Sequence, residues 1–134
     1  MRIVIVEDDA NVRTSLEEIL RRAGIDVQGY DNLCDAVRSL MRERCHLLLL
    51  DLHQPGLPCE TALSLLREVA PGVPVVLTTA DPGGRGAARG TWAGAFRVVG
   101  KPFDAAEVLA AVDGARAFRG DAPACPPPPP RARA

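Results

Sequence analysis

Short apolar runs that each end near a polar residue constrain the fold of this chain more than any other sequence feature. The runs occupy residues 3–6, 47–50, 75–77 and 98–99, and the polar residues are Glu7, Asp8, Asp51, Thr79 and Lys101. Uninterrupted apolar runs of this length are typical of strands that are buried on both faces of a parallel sheet. In such sheets the ligand site lies beyond the carboxyl ends of the strands. We therefore expect these polar residues to converge in one cleft.

The predicted strands alternate with amphipathic helical segments along the chain. Strands are predicted at residues 2–6, 27–30, 47–50, 75–79 and 96–99, and helices at about 10–23, from 33, at 60–69, at 87–94 and after Asp104. The buried side of the second helix is predicted to be formed by Leu33, Val37, Leu40 and Met41. Such alternation requires right-handed crossovers with helices on both faces of the sheet. The sequence thus predicts a doubly wound α/β fold with a five-stranded parallel sheet.

The composition changes near the carboxyl end of the chain. Residues 1–118 carry the predicted elements, whereas residues 119–134 are rich in Pro, Ala and Arg and include five consecutive prolines. We predict one domain over 1–118 followed by a disordered tail. The alternatives for the tail are a recognition peptide for a proline-binding module and a linker to a missing output domain.

The charge and hydropathy of the chain bear on its partners. A net charge of −1 and a pI near 6.1 provide no basic surface, so we expect no direct binding to nucleic acid. No apolar run of about 18 residues and no secretory signal are present, which favours a cytoplasmic protein without membrane contact. Cys34, Cys45, Cys59 and Cys125 lack zinc-type spacing and are expected to be reduced thiols. A metal pair of His46 and His53 would need a third ligand.

Taken together, the motifs resemble the receiver domain of two-component response regulators, over residues 1 to about 118. The resemblance is carried by Glu7-Asp8, Asp51, Pro55, Thr79-Ala80, Gly94-Ala95 and Lys101-Pro102-Phe103. Their spacing is most similar to that in receivers of nitrogen-regulation-type activators. The resemblance implies a flavodoxin-like (βα)5 fold with strand order 2-1-3-4-5.

The predicted cluster of carboxylates implies a bound cation. Two unit charges about 4 Å apart repel by about 4 kcal/mol at an effective dielectric constant near 20. Few carboxylates, a backbone carbonyl and water together suit Mg²⁺. The resemblance implies that Asp8, Asp51 and the backbone carbonyl of His53 bind Mg²⁺ directly, and that Glu7 acts through water.

The resemblance also implies a function. Asp51 would accept a phosphoryl group from a histidine kinase or a phosphotransfer protein, and Thr79 and Lys101 would bind the phosphoryl oxygens. Lys101 and Pro102 would be joined by a cis peptide bond. The chain is then a stand-alone receiver that signals to an unknown protein target through altered protein contacts, as a monomer or as a phosphorylation-dependent dimer. It would not be an enzyme beyond self-catalysed phosphorylation and weak autodephosphorylation.

Several positions depart from the family pattern. Cys59 replaces a common glycine and Val98 replaces a common aromatic residue, while His53 and Asp81 occupy positions that tune access of water to the phosphoryl group. The alternative function is a phosphorylation-independent pseudo-receiver that acts as a protein-binding module. A phosphatase of the haloacid dehalogenase type would need a second aspartate where this chain has His53.

Overall fold

Within residues 1–54 and 56–117, which the computed structural model describes, five strands alternate with five helices. The strands are β1 (Arg2–Val6), β2 (Asp26–Tyr30), β3 (Leu47–Asp51), β4 (Val75–Thr79) and β5 (Arg97–Gly100). The helices are α1 (Ala10–Arg22), α2 (Leu33–Arg42), α3 (Cys59–Val69), α4 (Arg85–Trp92) and α5 (Ala105–Ala117). Pro55 and the predicted tail at 119–134 lie outside the described residues.

All neighbouring strands are parallel, and their order across the sheet is β2-β1-β3-β4-β5. In the register, Val6 lies beside Tyr30 on one side and Leu50 on the other, and Thr79 lies beside Gly100. The doubly wound α/β fold and its strand order are therefore as predicted. The carboxyl ends of β1, β3, β4 and β5 meet at one edge of the sheet.

The core consists of two apolar layers, one on each face of the sheet. On one face α1 and α5 cover residues such as Ile5 and Leu49. On the other face α2, α3 and α4 cover residues such as Leu50 and Leu77. Every residue of β3 is buried, which explains why its first four residues are all leucine.

Polar side chains cap the helices at the edge where the candidate site lies. Asp9 accepts hydrogen bonds from the backbone N–H groups of Asn11 and Val12, at 2.9 and 3.3 Å. Asn32 accepts a hydrogen bond from the N–H of Asp35 at 2.8 Å at the start of α2. These bonds satisfy N–H groups that have no partner inside a helix. They also fix how the chain leaves the strands that precede α1 and α2.

Several element boundaries differ from the predictions. Helix α4 begins two residues earlier than predicted, after a turn in which the N–H of Gly84 donates to the carbonyl of Asp81 at 3.1 Å. Strand β3 includes Asp51, which pairs with Thr78. Cys59 lies in helical backbone, and among the described residues only glycines have positive φ. The replacement of a common glycine by Cys59 is thus accommodated without left-handed backbone.

No helix formed by the described residues combines the length and the apolar character needed to cross a membrane.

Candidate functional site

The predicted site residues lie at the carboxyl edge of the sheet. Glu7 and Asp8 directly follow β1, and Asp51 and Thr79 are the last residues of β3 and β4. Lys101 directly follows β5, and its N–H donates to the carbonyl of Thr79 at 2.7 Å. The Lys101–Pro102 peptide bond is cis, as the resemblance implied. Residues distant in sequence thus meet at one edge of the sheet.

Three carboxylates and one ammonium group form an acidic pocket at this edge. Glu7, Asp8 and Asp51 each offer an oxygen atom, and these oxygens all lie within 4.8 Å of one another. The Nζ of Lys101 lies 2.5 Å from Oε1 of Glu7 and 3.4 Å from Oδ1 of Asp51. Glu7 and Asp51 are buried, with exposed fractions of 1% and 4%, whereas Asp8 is exposed. The pocket is therefore open to solvent on the side of Asp8.

Burial makes the charges of the pocket costly. It raises the pKa of Glu7 to about 7, helped by the adjacent Asp51 carboxylate and opposed by Lys101. Burial by itself would lower the pKa of Lys101, but its hydrogen bond to Glu7 and the charge of Asp51 raise that pKa overall. One ammonium group does not balance three carboxylates. The pocket can accommodate further positive charge.

The donor atoms of the pocket fit a hard divalent cation. All three side chains offer carboxylate oxygens, the ligand type preferred by Mg²⁺. Oε2 of Glu7 is buried and has no hydrogen-bond donor within the part of the chain that the structure describes. A buried oxygen without a donor is unfavourable unless a proton, water or a cation satisfies it.

The loop after β3 holds Asp51 through backbone contacts. The N–H of His53 donates to Oδ1 of Asp51 at 3.2 Å, and Nε2 of Gln54 donates to the carbonyl of Asp51 at 3.0 Å.

His46 precedes β3, and its Nδ1 accepts a hydrogen bond from the N–H of Arg2 at 3.0 Å. The two histidines are separated by the length of β3 and do not form a metal pair.

Thr79 occupies the other face of the sheet from Asp51 at the same edge. The register pairs Asp51 with Thr78, so the next residue, Thr79, points the opposite way. Its hydroxyl oxygen accepts a hydrogen bond from the N–H of Asp81 at 3.1 Å. The Thr79 hydroxyl and the Asp51 carboxylate therefore flank the sheet edge from its two faces.

Arg13 is part of this site although the sequence analysis does not identify it. Its Nη1 donates to the backbone carbonyl of Glu7 at 2.8 Å. Arg13 lies in the first turns of α1, and helical side chains lean toward the helix amino end. That geometry, applied to a helix beginning just after Glu7 and Asp8, is the signal that could have identified it.

Comparison with known proteins gives a consistent set of matches. The family model described as response regulator receiver domain matches residues 3–113. The transcriptional regulator NtrC of Proteus hauseri is 31% identical over 109 residues, which cover 81% of this chain and 23% of NtrC. The transcriptional regulatory protein PrrA of Mycobacterium tuberculosis is 33% identical over 119 residues, covering 89% of this chain and 51% of PrrA. The chain thus spans only part of these relatives.

Solved structures share the architecture. The receiver domain of the sensor histidine kinase PA1611 from Pseudomonas aeruginosa, which has a magnesium ion coordinated in its active site cleft, matches with a TM-score of 0.74 and 28% identity. That match covers 87% of this chain and 95% of the other. The receiver domain of NtrX from Brucella abortus matches with a TM-score of 0.79 and 23% identity, over 84% of this chain and 96% of that receiver-domain chain. The latter likeness concerns the fold alone.

Proposed function

The chain belongs to the response regulator receiver domain family of two-component systems, and we propose on this premise that Asp51 is its phosphoacceptor. The phosphoryl donor is a histidine kinase or a phosphotransfer protein. One observation carries the proposal: Asp51 shares a pocket with two further carboxylates, and Lys101 Nζ lies 3.4 Å from its Oδ1. A carboxylate with a purely structural role at a strand end would not require two further carboxylates beside it.

The proposed reaction joins an Asp51 oxygen to phosphorus. The carboxylate attacks the phosphoryl group of a phosphohistidine, and an acyl O–P bond forms as the N–P bond breaks. The imidazole leaves with the electron pair and is neutral once a proton is bound. Oδ1 of Asp51 already accepts hydrogen bonds from His53 and Lys101, so Oδ2 is the better placed nucleophile. Such chemistry depends mainly on positioning and on neutralising charge.

The surrounding residues have separate proposed roles. Asp8, Asp51 and the backbone carbonyl of His53 would bind Mg²⁺, with Glu7 acting through water. When bound, Mg²⁺ would neutralise charge on the carboxylates and on the transferred group. Lys101 would contact one phosphoryl oxygen, and the hydroxyl of Thr79 would donate to another.

We propose that the chain signals through protein contacts and turns over no external substrate beyond weak autodephosphorylation. Val98 packs against the core cluster on the α2, α3 and α4 face. Because this position holds valine, no aromatic side chain is present there to report phosphorylation. Residues 82–94, which contain α4 with Gly86 and Gly90 inside it, are the proposed responding segment. Hydrogen exchange with and without beryllofluoride should reveal altered protection there, and unchanged protection would contradict this assignment.

The mass of the intact protein tests the phosphoacceptor proposal. Incubation with acetyl phosphate and Mg²⁺ should add the mass of one phosphoryl group, and fragmentation should locate it on Asp51. Asp51→Asn, and wild type with excess chelator, should gain nothing. If a folded wild-type protein binds Mg²⁺ but is never labelled, by acetyl phosphate or by any histidine kinase offered to it, the pseudo-receiver alternative is correct.

A further inference from the structure

Arg13 links helix α1 to the backbone of the acidic pocket. Its Nη1 donates to the carbonyl of Glu7 at 2.8 Å, and its side chain is 22% exposed. On the opposite side, the N–H of Glu7 donates to the carbonyl of Tyr30 at 3.0 Å. The carboxylate of Glu7 contacts Lys101. Both the backbone and the side chain of Glu7 are therefore held, and the Arg13 contact comes from a helix.

Gly29 provides the space in which Arg13 lies. A Cβ atom at Gly29 would be 3.0 Å from Cδ of Arg13, 3.1 Å from its Cγ and 2.3 Å from Oε1 of Glu17. Because Gly29 lies within β2, where glycine weakens a strand, a close approach by other atoms accounts for its presence. Glu17 lies 3.8 Å from Nε of Arg13 and 3.3 Å from Nη1 of Arg21. The aliphatic part of the Arg13 side chain thus packs over Gly29 of β2, and its guanidinium group reaches the carbonyl of Glu7.

We propose that Arg13 is a positioning residue for cation binding in the pocket, an inference that rests on the proposed function. The carbonyl that it holds belongs to the peptide group joining Glu7 to Asp8. Fixing that peptide plane fixes the directions in which both carboxylates leave the backbone. A pocket whose ligands are already oriented loses less conformational freedom when Mg²⁺ binds.

Other roles for Arg13 predict different results. If Arg13 acted only through its charge, its removal would strengthen Mg²⁺ binding, because a nearby guanidinium group repels a cation. If Arg13 only attached α1 to β2, its removal would lower stability and leave Mg²⁺ affinity unchanged. A positioning role predicts weaker Mg²⁺ binding in a protein that remains folded.

The test is calorimetric titration with Mg²⁺ alone, on wild type and four variants. Arg13→Met removes the hydrogen bond. Gly29→Ala alters no pocket residue, but its Cβ would displace Oε1 of Glu17 at 2.3 Å and crowd Cδ of Arg13 at 3.0 Å. Both substitutions should raise the Kd for Mg²⁺ about tenfold, as is typical when an outer-shell partner is lost. Arg13→Lys, which keeps one donor, should have an intermediate Kd. Arg21→Met is the matched control, since it removes the other arginine paired with Glu17 and should bind Mg²⁺ as wild type does.

Labelling by acetyl phosphate separates the affinity for Mg²⁺ from the reactivity of Asp51. Arg13→Met should need more Mg²⁺ for half-maximal labelling and should approach the wild-type rate at saturating Mg²⁺. Circular dichroism melting identifies any variant that is unfolded, and Arg13→Lys then carries the test if Arg13→Met is lost.

Two results would overturn the inference about Arg13. They are a wild-type Kd in both Arg13→Met and Gly29→Ala, and wild-type protein that binds no Mg²⁺ at all. If wild type is labelled normally and the variants bind Mg²⁺ unchanged, the positioning role alone fails. If the variants weaken Mg²⁺ binding but Asp51 is never labelled, the proposed function alone fails.

Discussion

At the scale of single residues, Glu7 dominates the electrostatics of the pocket. It is almost fully buried and adjoins another carboxylate, and Lys101 compensates only part of the cost of its charge. With a pKa of about 7, Glu7 in the metal-free protein therefore loses its proton near neutral pH rather than near its ordinary value of 4.5. Folding and protonation of this residue are coupled.

The metal-free protein should become less stable as pH rises toward neutrality. The folded-state pKa of Glu7 is about 7 and its ordinary value is 4.5, so between these values the native state keeps a proton that the unfolded chain has lost. The free energy of unfolding should decrease across this window, by on the order of 3 kcal/mol, and level off above it. Urea unfolding at a series of pH values in excess chelator measures the effect.

Glu7→Gln should remove this part of the pH dependence, because an amide does not titrate. Glu18→Gln, which alters an exposed carboxyl group on α1, serves as the control and should keep the wild-type slope. An unchanged slope in Glu7→Gln would show that Glu7 is charged throughout the window.

The cysteines should differ in reactivity. Cys34 is exposed, whereas burial raises the pKa of Cys45 and of Cys59 to about 11. Since the thiolate is the reactive form, iodoacetamide at pH 8 should modify Cys34 much faster than Cys45 or Cys59. Peptide mapping by mass spectrometry distinguishes these sites from Cys125, which lies outside the described residues. Equal rates in the native protein would contradict the burial of Cys45; the urea-unfolded chain provides the reference for equal access.

At the scale of elements, α4 depends on close packing more than on helix propensity. A Cβ atom at Gly90 would lie 2.1 Å from Cδ1 of Leu77 and 3.5 Å from Sγ of Cys59. Leu77 is fully buried, so it cannot move aside without disturbing the core. Gly90, which weakens the helix intrinsically, permits α4 to approach β4.

Gly90→Ala should therefore destabilise the protein despite the better helix propensity of alanine. Overpacking of a filled core typically costs about 1–3 kcal/mol, more than the roughly 1 kcal/mol gained in propensity. Gly114→Ala in α5 is the matched control, because a Cβ atom there would lie 3.2 Å from the nearest atom of Arg97 and 3.4 Å from the nearest atom of Phe96. It should be neutral or stabilising. Thermal unfolding of both variants gives the comparison, and a more stable Gly90→Ala would refute the packing argument.

The sequence predicts strands and helices well where their pattern of apolar residues results from burial. The strands are identified by apolar runs because helices cover both faces of the sheet. The start of α4 is missed because its glycines indicate a loop, while the packing of Gly90 against Leu77 favours a helix. The helical pattern places Met41 on the buried side of α2, but Met41 is 75% exposed.

The sequence predicts which residues at the strand ends form the candidate site, but not the contacts through which other residues hold them. The convergence of Glu7, Asp51 and Lys101 follows from the parallel sheet alone, since each lies at the carboxyl end of a strand. The contact of Arg13 with a carbonyl six residues earlier depends on how the chain turns after β1, which no periodicity encodes. The chemical roles of Asp51 and Thr79 are predictions that the labelling experiment addresses.

At the scale of the whole molecule, the site and the core occupy separate regions. The two apolar layers lie on the faces of the sheet, whereas the carboxylates lie at its edge. A ligand at the edge can therefore stabilise the fold without rearranging the core.

Addition of Mg²⁺ should raise the thermal stability of the protein. A ligand that binds only the native state contributes about 2.7 kcal/mol to the free energy of unfolding at 100 times its Kd. Asp8→Asn should fold, because Asp8 is exposed, but should lose most of this increment. Calorimetric melting with and without Mg²⁺ measures both proteins, and an equal increment in Asp8→Asn would exclude Asp8 as a ligand.

The ion pair between Lys101 and Glu7 joins residues that are 94 positions apart. During translation the acids that follow β1 emerge from the ribosome early, and their ammonium partner Lys101 emerges only after all five strands have been made. A nascent or truncated chain that ends before β5 has the acids but lacks the cation that partly compensates them. On the proposed function, a chain therefore cannot be competent for phosphotransfer before Lys101 has been made.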